Sequence, residues 1–149
     1  MTEVLFYHLT ESTLEEALPA LVERSLARDW KVVIQTGSEE RRDALDQHLW
    51  TYREDSFVGH GAEHEPHAAD QPVLLTIGQG NANGAEIRFI VDGARPPDLA
   101  AYQRVVFMFD GHDEMQVTLA RQDWKAVRAA GHQATYWQQS PDRRWERKA

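Results

Sequence analysis

The sequence predicts a single α/β domain with a mostly parallel central sheet of about five strands, flanked by helices. Short apolar runs alternate with amphipathic stretches along the chain, and two strand–helix pairs occupy roughly the first 50 residues. Such pairs are typical of right-handed βαβ connections, which place the strands parallel. The length of 149 residues suits one domain with its own hydrophobic core.

The elements can be assigned in chain order. Strands are predicted over residues 4–9, 31–35, 72–77, 86–91 and 104–109, with residues 134–137 as a sixth strand at the edge of the sheet. Ser12 and Glu15 form a capping-box pattern for the first helix, in which Pro19 marks either a late start or a kink. Ser38 and Asp113 are predicted N-caps of the second and third helices, and Gly131 is predicted to end the third in the left-handed conformation.

The composition excludes several classes of function. There is no cysteine, which rules out disulfides, thiol catalysis and cysteine-ligated metal sites. We expect a cytoplasmic protein with no signal peptide and no membrane-spanning segment. The net charge is −8, and because residues 121–149 carry +4, the first 120 residues carry −12. A body this acidic repels a phosphate backbone, so we expect contact with nucleic acid only indirectly, through a partner.

The strand-then-helix opening resembles that of nucleotide-binding proteins, but the phosphate-binding loop is missing. Thr10, Glu11 and Ser12 follow the first strand, with no glycine and with a carboxylate where a pyrophosphate would lie. No pattern selects a catalytic triad or another known catalytic motif. We therefore predict a Rossmann-like fold without a nucleotide site, and no cofactor.

Histidines in the irregular stretch after the second helix raise the alternative of a metal site. His60, His64 and His67 lie in this stretch, with His48 and Glu63 nearby in the sequence. Loop histidines without a rigid scaffold have no fixed ligand geometry, and no supporting partners are evident. We interpret the stretch as a solvent-facing polar loop and predict no metal.

The third predicted helix carries a basic strip with an aromatic edge. Arg121, Lys125 and Arg128 are spaced i, i+4 and i+7, so they share one face, and Trp124 borders it. Val117 and Tyr136 are expected beside them. Such a surface suits a peptide that carries carboxylates and one bulky apolar side chain, although a simply solvated helix face remains the alternative.

A second candidate surface lies around the irregular stretch, at Trp50, Phe57 and Val58. These apolar residues indicate either a small satellite core beneath a long loop or an exposed patch that docks a partner. The sequence leaves both interpretations open.

Several segments together resemble the chi subunit of bacterial DNA polymerase III. The similarity runs from residue 4 to about residue 137, and no single motif carries it. The segments are Phe6-Tyr7, Leu49-Trp50, residues 55–60 and residues 124–132.

The resemblance implies a non-enzymatic accessory protein of the clamp-loader complex. Proteins of this family bind the psi subunit on one surface, and on another the acidic, phenylalanine-ending C-terminal tail of single-stranded DNA-binding protein. By position, the tail-binding residues are Arg121, Trp124, Lys125, Arg128 and Val117, and the psi-binding residues are Trp50, Phe57 and Val58. Val117 stands where some family members carry a further basic residue.

Residues 1–138 are expected to form the folded domain, and residues 139–149 a charged, flexible tail. The alternative to an adaptor protein is an α/β enzyme or nucleotide-binding protein of unknown substrate, against which the missing glycine loop argues.

Overall fold

The computed structural model describes residues 2–51, 60–62 and 68–149, without the side chains of residues 50, 51, 60 and 61. Within these ranges the strands form one sheet and three α-helices pack on it. The strands are β1 Glu3–Leu9, β2 Val32–Gln35, β3 His60–Ala62, β4 Val73–Thr76, β5 Ile87–Ile90, β6 Arg104–Asp110, β7 Gln133–Gln139 and β8 Trp145–Arg147. The helices are α1 Leu14–Ala27, α2 Glu39–Thr51 and α3 Glu114–Ala129.

The strands are ordered β3-β4-β2-β5-β6-β1-β7-β8, and all neighbours are parallel except β7 and β8. The prediction of a single, mostly parallel α/β domain is confirmed. The predicted count of about five strands is too low, since the described part of the chain contains eight. The three-residue strands β3 and β8 are too short to show an apolar period in the sequence.

The C-terminal region differs most from expectation. The predicted edge strand lies inside the sheet as β7, parallel to β1 on one side and antiparallel to β8 on the other. Trp145–Arg147 forms β8 within the segment expected to be a flexible tail, because its backbone completes the open edge of β7. The division of the chain at residue 138 stays a prediction.

The helix ends follow local signals with one exception. Asp113 caps α3 by accepting hydrogen bonds from the backbone N–H groups of Met115 and Gln116, as predicted. Gly131 follows α3 with φ +85°, and its N–H and that of His132 donate to carbonyls of the last helical turn, as in a Schellman motif. Arg41 donates its backbone N–H to the Ser38 hydroxyl at the start of α2.

The capping box of α1 begins one residue later than predicted. Thr13 and Glu16 form it, with each side chain accepting from the backbone of the other. Ser12 is engaged elsewhere: its N–H donates to Gln139 Oε1 of β7, and its hydroxyl accepts from Gln139 Nε2. A partner distant in the sequence therefore shifts the cap.

Pro19 lies inside α1 and removes the N–H group that the Glu15 carbonyl would accept from. The His48 ring of α2 takes that place, with Nε2 2.6 Å from the Glu15 carbonyl oxygen. His48 therefore joins the two helices through this contact.

The core has two layers, one on each face of the sheet. α1 and α2 cover one face with Leu18, Val22, Leu45 and Leu49. α3 covers the other, where the parallel neighbours Phe6 and Phe107 stack with ring centroids 4.7 Å apart. Because alternate residues of a strand face opposite sides, α3 lies over the even-numbered residues of β1.

Loops cover the part of this sheet face that lies beside α3, and a buried arginine, Arg88, binds them through hydrogen bonds. Arg88 of β5 has 0% exposure. Its guanidinium donates to the carbonyl oxygens of Gly78 and Gly80, to Gln35 Oε1 and to the Tyr102 hydroxyl, over 2.7–3.2 Å. A guanidinium offers five N–H donors, which suits loop carbonyls that no ladder satisfies.

Candidate functional site

α3 presents the basic strip that the sequence predicted. Arg121, Lys125 and Arg128 are exposed on the helix surface, while Trp124 and Val117 are half-buried and pack against the core. Among the residues that the structure describes, none of the three cations is in an ion pair. The strip therefore presents three cations to solvent next to apolar side chains.

Trp124 is held in place by aromatic rings on two strands. Its ring meets Phe6 of β1 edge-on at 5.3 Å and Tyr136 of β7 edge-on at 5.9 Å. The Arg128 guanidinium carbon lies 5.5 Å from the centroid of the Trp124 ring, within the range of a cation–π contact. The indole is thus a rigid wall beside the cations, and it needs no ordering when a ligand binds.

Tyr136 is fixed by a residue that the sequence interpretation did not consider. The Tyr136 hydroxyl lies 2.8 Å from Nδ1 of His8, and the His8 ring stacks on Phe109 with centroids 4.8 Å apart. Gly111 packs on the same ring so closely that a Cβ there would collide with it. The alternation of β1, which places His8 on the face of Phe6, is the sequence signal for this contact.

The surroundings of His8 and Tyr136 shift the pKa values of both groups. Burial, then the nearby His112 and Arg121, lower the pKa of His8, against an opposing effect of Asp110. Burial raises the pKa of Tyr136, although Arg121 opposes this rise. Both directions favour the neutral forms near neutral pH, so the Tyr136 hydroxyl and Nδ1 of His8 share one hydrogen bond between neutral groups, whose donor depends on the histidine tautomer.

The His8 environment predicts a pH dependence of stability. A histidine with a lowered pKa in the folded state binds fewer protons than in the unfolded chain, so stability rises with pH in that window. The contribution is fully present above the unfolded pKa of about 6.5 and is lost as pH falls towards the lowered folded pKa. Urea unfolding at several pH values between about 5 and about 7.5 measures this. His8→Gln, which keeps an acceptor but does not titrate, is expected to show a shallower slope; an equal slope contradicts the assignment.

Asp123 is the one acidic residue in the helical turns that carry the basic strip, and it is not exposed beside the cations. Asp123 is buried and receives a two-pronged contact from Arg95, with Nη2 2.8 Å from Oδ2 and Nη1 3.3 Å from Oδ1. Burial raises the pKa of Asp123, while the guanidinium opposes this rise. Arg95 comes from the loop after β5, so tertiary contact keeps this carboxylate from neutralising the strip.

The second predicted surface, at Trp50, Phe57 and Val58, lies outside the side chains that the structure describes. Trp50 belongs to α2, but its side chain is outside the described atoms, and Phe57 and Val58 lie outside the described residues. The loop residues His64 and His67 also lie outside them. In the ranges that the structure describes, no three His, Asp or Glu side chains are arranged to hold a metal ion.

A cleft of about 390 Å³ opens where β1 and β6 end, the position at which Rossmann-like folds bind nucleotides. Glu11, Asp92 and Asp110 line it, and Arg41 pairs with Glu15 and Asp92. The Thr13 side chain already accepts from the Glu16 N–H at the start of α1. Carboxylates and a capped helix make this a poor place for phosphate.

The described helices include none whose length and apolar content would let it cross a membrane. Together the observations define a Rossmann-like α/β protein that presents a cationic, aromatic-edged helix on one face of its sheet.

The chain belongs to the family described as DNA polymerase III chi subunit, HolC, whose profile matches residues 1–135. It is 30% identical over 105 residues to a probable DNA polymerase III subunit chi of Rickettsia prowazekii, covering 70% of this chain and 62% of that protein. It is 26% identical over 108 residues to the DNA polymerase III subunit chi of Pseudomonas aeruginosa, covering 70% of this chain and 75% of that one. The resemblance inferred from the sequence is confirmed.

Proposed function

We propose that this chain is a non-catalytic replication adaptor of the DNA polymerase III clamp-loader complex, acting in the cytoplasm. α3 binds the acidic C-terminal tail of single-stranded DNA-binding protein, which links the chain to DNA indirectly. The observation that carries the proposal is the set of three exposed cations beside an immobilised Trp124.

The chemistry of the strip matches such a tail. Arg121, Lys125 and Arg128 attract and bind tail carboxylates, and a guanidinium can do so through two parallel hydrogen bonds. Trp124 and Tyr136 stand nearly perpendicular, with an angle of 86° between their rings, and form an apolar corner for the terminal phenylalanine. Val117 extends this apolar edge without adding a charge.

The psi subunit is proposed as the second partner, bound through Trp50, Phe57 and Val58. Support for this part comes from the family and from the matching segments of the sequence. The alternative of a nucleotide-binding protein or enzyme is weaker because carboxylates surround the cleft at the ends of β1 and β6.

The double variant Arg121→Ala/Arg128→Ala is expected to weaken binding of a synthetic acidic peptide ending in phenylalanine at least tenfold, about 1.4 kcal/mol. Removing two cations reduces both the attraction and the hydrogen bonds to carboxylates, and the affinity of the unaltered chain falls as salt is added. Calorimetric titration measures both effects.

Arg121→Lys/Arg128→Lys is the matched control. It keeps the positive charges but loses the planar guanidinium groups. We therefore expect an affinity between that of the unaltered chain and that of the alanine double variant. Undiminished affinity of the alanine double variant would show that the peptide does not bind at α3.

A further inference from the structure

The opposite face of the sheet, on the side of α1, carries a second surface of cations and aromatic rings. Tyr7 of β1 lies 4.7 Å from Trp145 of β8 and 6.4 Å from Trp137 of β7, measured between ring centroids. All three rings are half-buried, so each keeps an open side. We call the arginine–aromatic surface the set of Tyr7, Trp30, Trp137, Trp145, Arg24, Arg28 and Arg104.

A groove of about 230 Å³, lined by Tyr7 and the three arginines of this surface, lies between the C-terminal half of α1 and strands β1, β5 and β6. Buried Leu5, Phe89 and Val106 form its floor. The three arginines line its rim, two from the end of α1 and one from the start of β6. An apolar floor with a cationic rim suits a ligand that has an apolar side chain and neighbouring carboxylates.

The rim is held in position by Trp30. The guanidinium carbons of Arg28 and Arg104 lie 4.1 Å and 5.3 Å from the Trp30 ring centroid. Arg104 also pairs with Glu3, whereas Arg24 and Arg28, both exposed and spaced i, i+4, are in no ion pair within the described part of the chain. Two guanidinium groups are therefore available to an incoming anion.

Charge decides between an acidic peptide and a nucleic acid. The arginines form a local positive patch on a chain whose net charge is −8. A single-stranded nucleic acid brings one negative charge per nucleotide along its whole length and would meet the acidic remainder of the body. A short peptide can place a few carboxylates at the arginines and one side chain in the groove.

We propose that the arginine–aromatic surface is a second docking site, for an acidic peptide segment that carries a bulky apolar side chain. It goes beyond the tail site at α3, because the two surfaces lie on opposite faces of the sheet. Two acidic segments can therefore bind at once, and the chain connects two partners or two copies of one.

The test uses the five tryptophan indole N–H groups of the full chain as nuclear magnetic resonance reporters. A synthetic acidic peptide ending in phenylalanine is added to the Arg121→Ala/Arg128→Ala protein, in which the α3 strip is weakened. We expect saturable shifts of the Trp30 and Trp145 signals. Adding Arg24→Ala/Arg28→Ala should weaken this binding at least tenfold, while Arg24→Lys/Arg28→Lys should retain most of it.

Three outcomes would overturn the proposal: no shift of the Trp30 and Trp145 signals at high peptide concentration, an affinity unchanged by Arg24→Ala/Arg28→Ala, or tighter binding of oligothymidylate than of the peptide at these reporters. Unchanged dispersion of the other signals establishes that the exposed substitutions leave the fold intact. In the unaltered chain Trp124 reports on α3 separately, so failure at one surface is distinguishable from failure at the other.

Discussion

Replacing Arg88 by alanine is expected to lower the free energy of unfolding by about 3–5 kcal/mol. The side chain is fully buried, and its loss leaves carbonyl oxygens of Gly78 and Gly80 and the amide oxygen of Gln35 without these donors. Each buried acceptor left unsatisfied costs about 1–3 kcal/mol, and the vacated volume adds a cavity.

Arg88 also determines the shape of the loops beside α3. Gln35, which accepts from Arg88, donates its amide N–H to the backbone carbonyl of Arg95, and Arg95 in turn pairs with Asp123 of α3. This chain of contacts runs from the middle of the sheet to the turn that carries Trp124. Losing Arg88 is therefore expected to loosen the support of the site as well as the loop.

Urea unfolding followed by far-ultraviolet circular dichroism measures the effect of Arg88→Ala. Arg128→Ala removes an exposed arginine and should stay within about 0.5 kcal/mol of the unaltered chain. Arg88→Met fills the volume without donors, so it separates packing from hydrogen bonding. If Arg88→Met is as stable as the unaltered chain, the hydrogen bonds of Arg88 do not contribute to the free energy of unfolding.

Trp124→Ala is expected to cost about 2–3 kcal/mol of stability and to abolish most peptide binding at α3. The half-buried ring covers Phe6 and meets Tyr136, so its removal exposes part of the core on the α3 face. The same ring is the proposed wall of the corner that receives the terminal phenylalanine, so one substitution affects folding and binding together.

Trp124→Phe separates these two effects. The smaller ring still covers part of Phe6 and should recover about half of the lost stability, whereas it cannot form the full wall of the corner. Thermal unfolding and calorimetric titration of the three proteins provide the comparison. Normal affinity of a folded Trp124→Ala protein for the peptide would contradict the assigned role of Trp124.

The parts of the fold that the sequence predicts correctly are those with local signals. The ends of α3 depend on Asp113 and Gly131, whose effects reach only a few residues along the chain. The cap of α1 is predicted one residue early, because Gln139 engages Ser12 from a strand far along the chain. The local sequence pattern around Ser12 contains no information about a partner as distant as Gln139.

The candidate site divides in the same way. The cations of α3 follow from helical spacing, since residues at i, i+4 and i+7 share a face whatever the helix packs against. His8 and Arg95 depend on which strands and loops lie beside α3, and parallel pairing of β1 with both β6 and β7 sets that arrangement. The edge prediction for residues 134–137 failed because a three-residue strand, β8, shows no period.

The proposed tail site rests on the exposed strip of α3 in a chain that belongs to the DNA polymerase III chi subunit family. Capture of the full chain by immobilised single-stranded DNA-binding protein, with and without the last residues of that protein, tests the central claim most directly. The account predicts retention by the intact protein, loss on deletion of its acidic tail, and clearly weaker retention of the Arg121→Ala/Arg128→Ala chain, which keeps only the arginine–aromatic surface. Equal retention by intact and tail-deleted protein would contradict it.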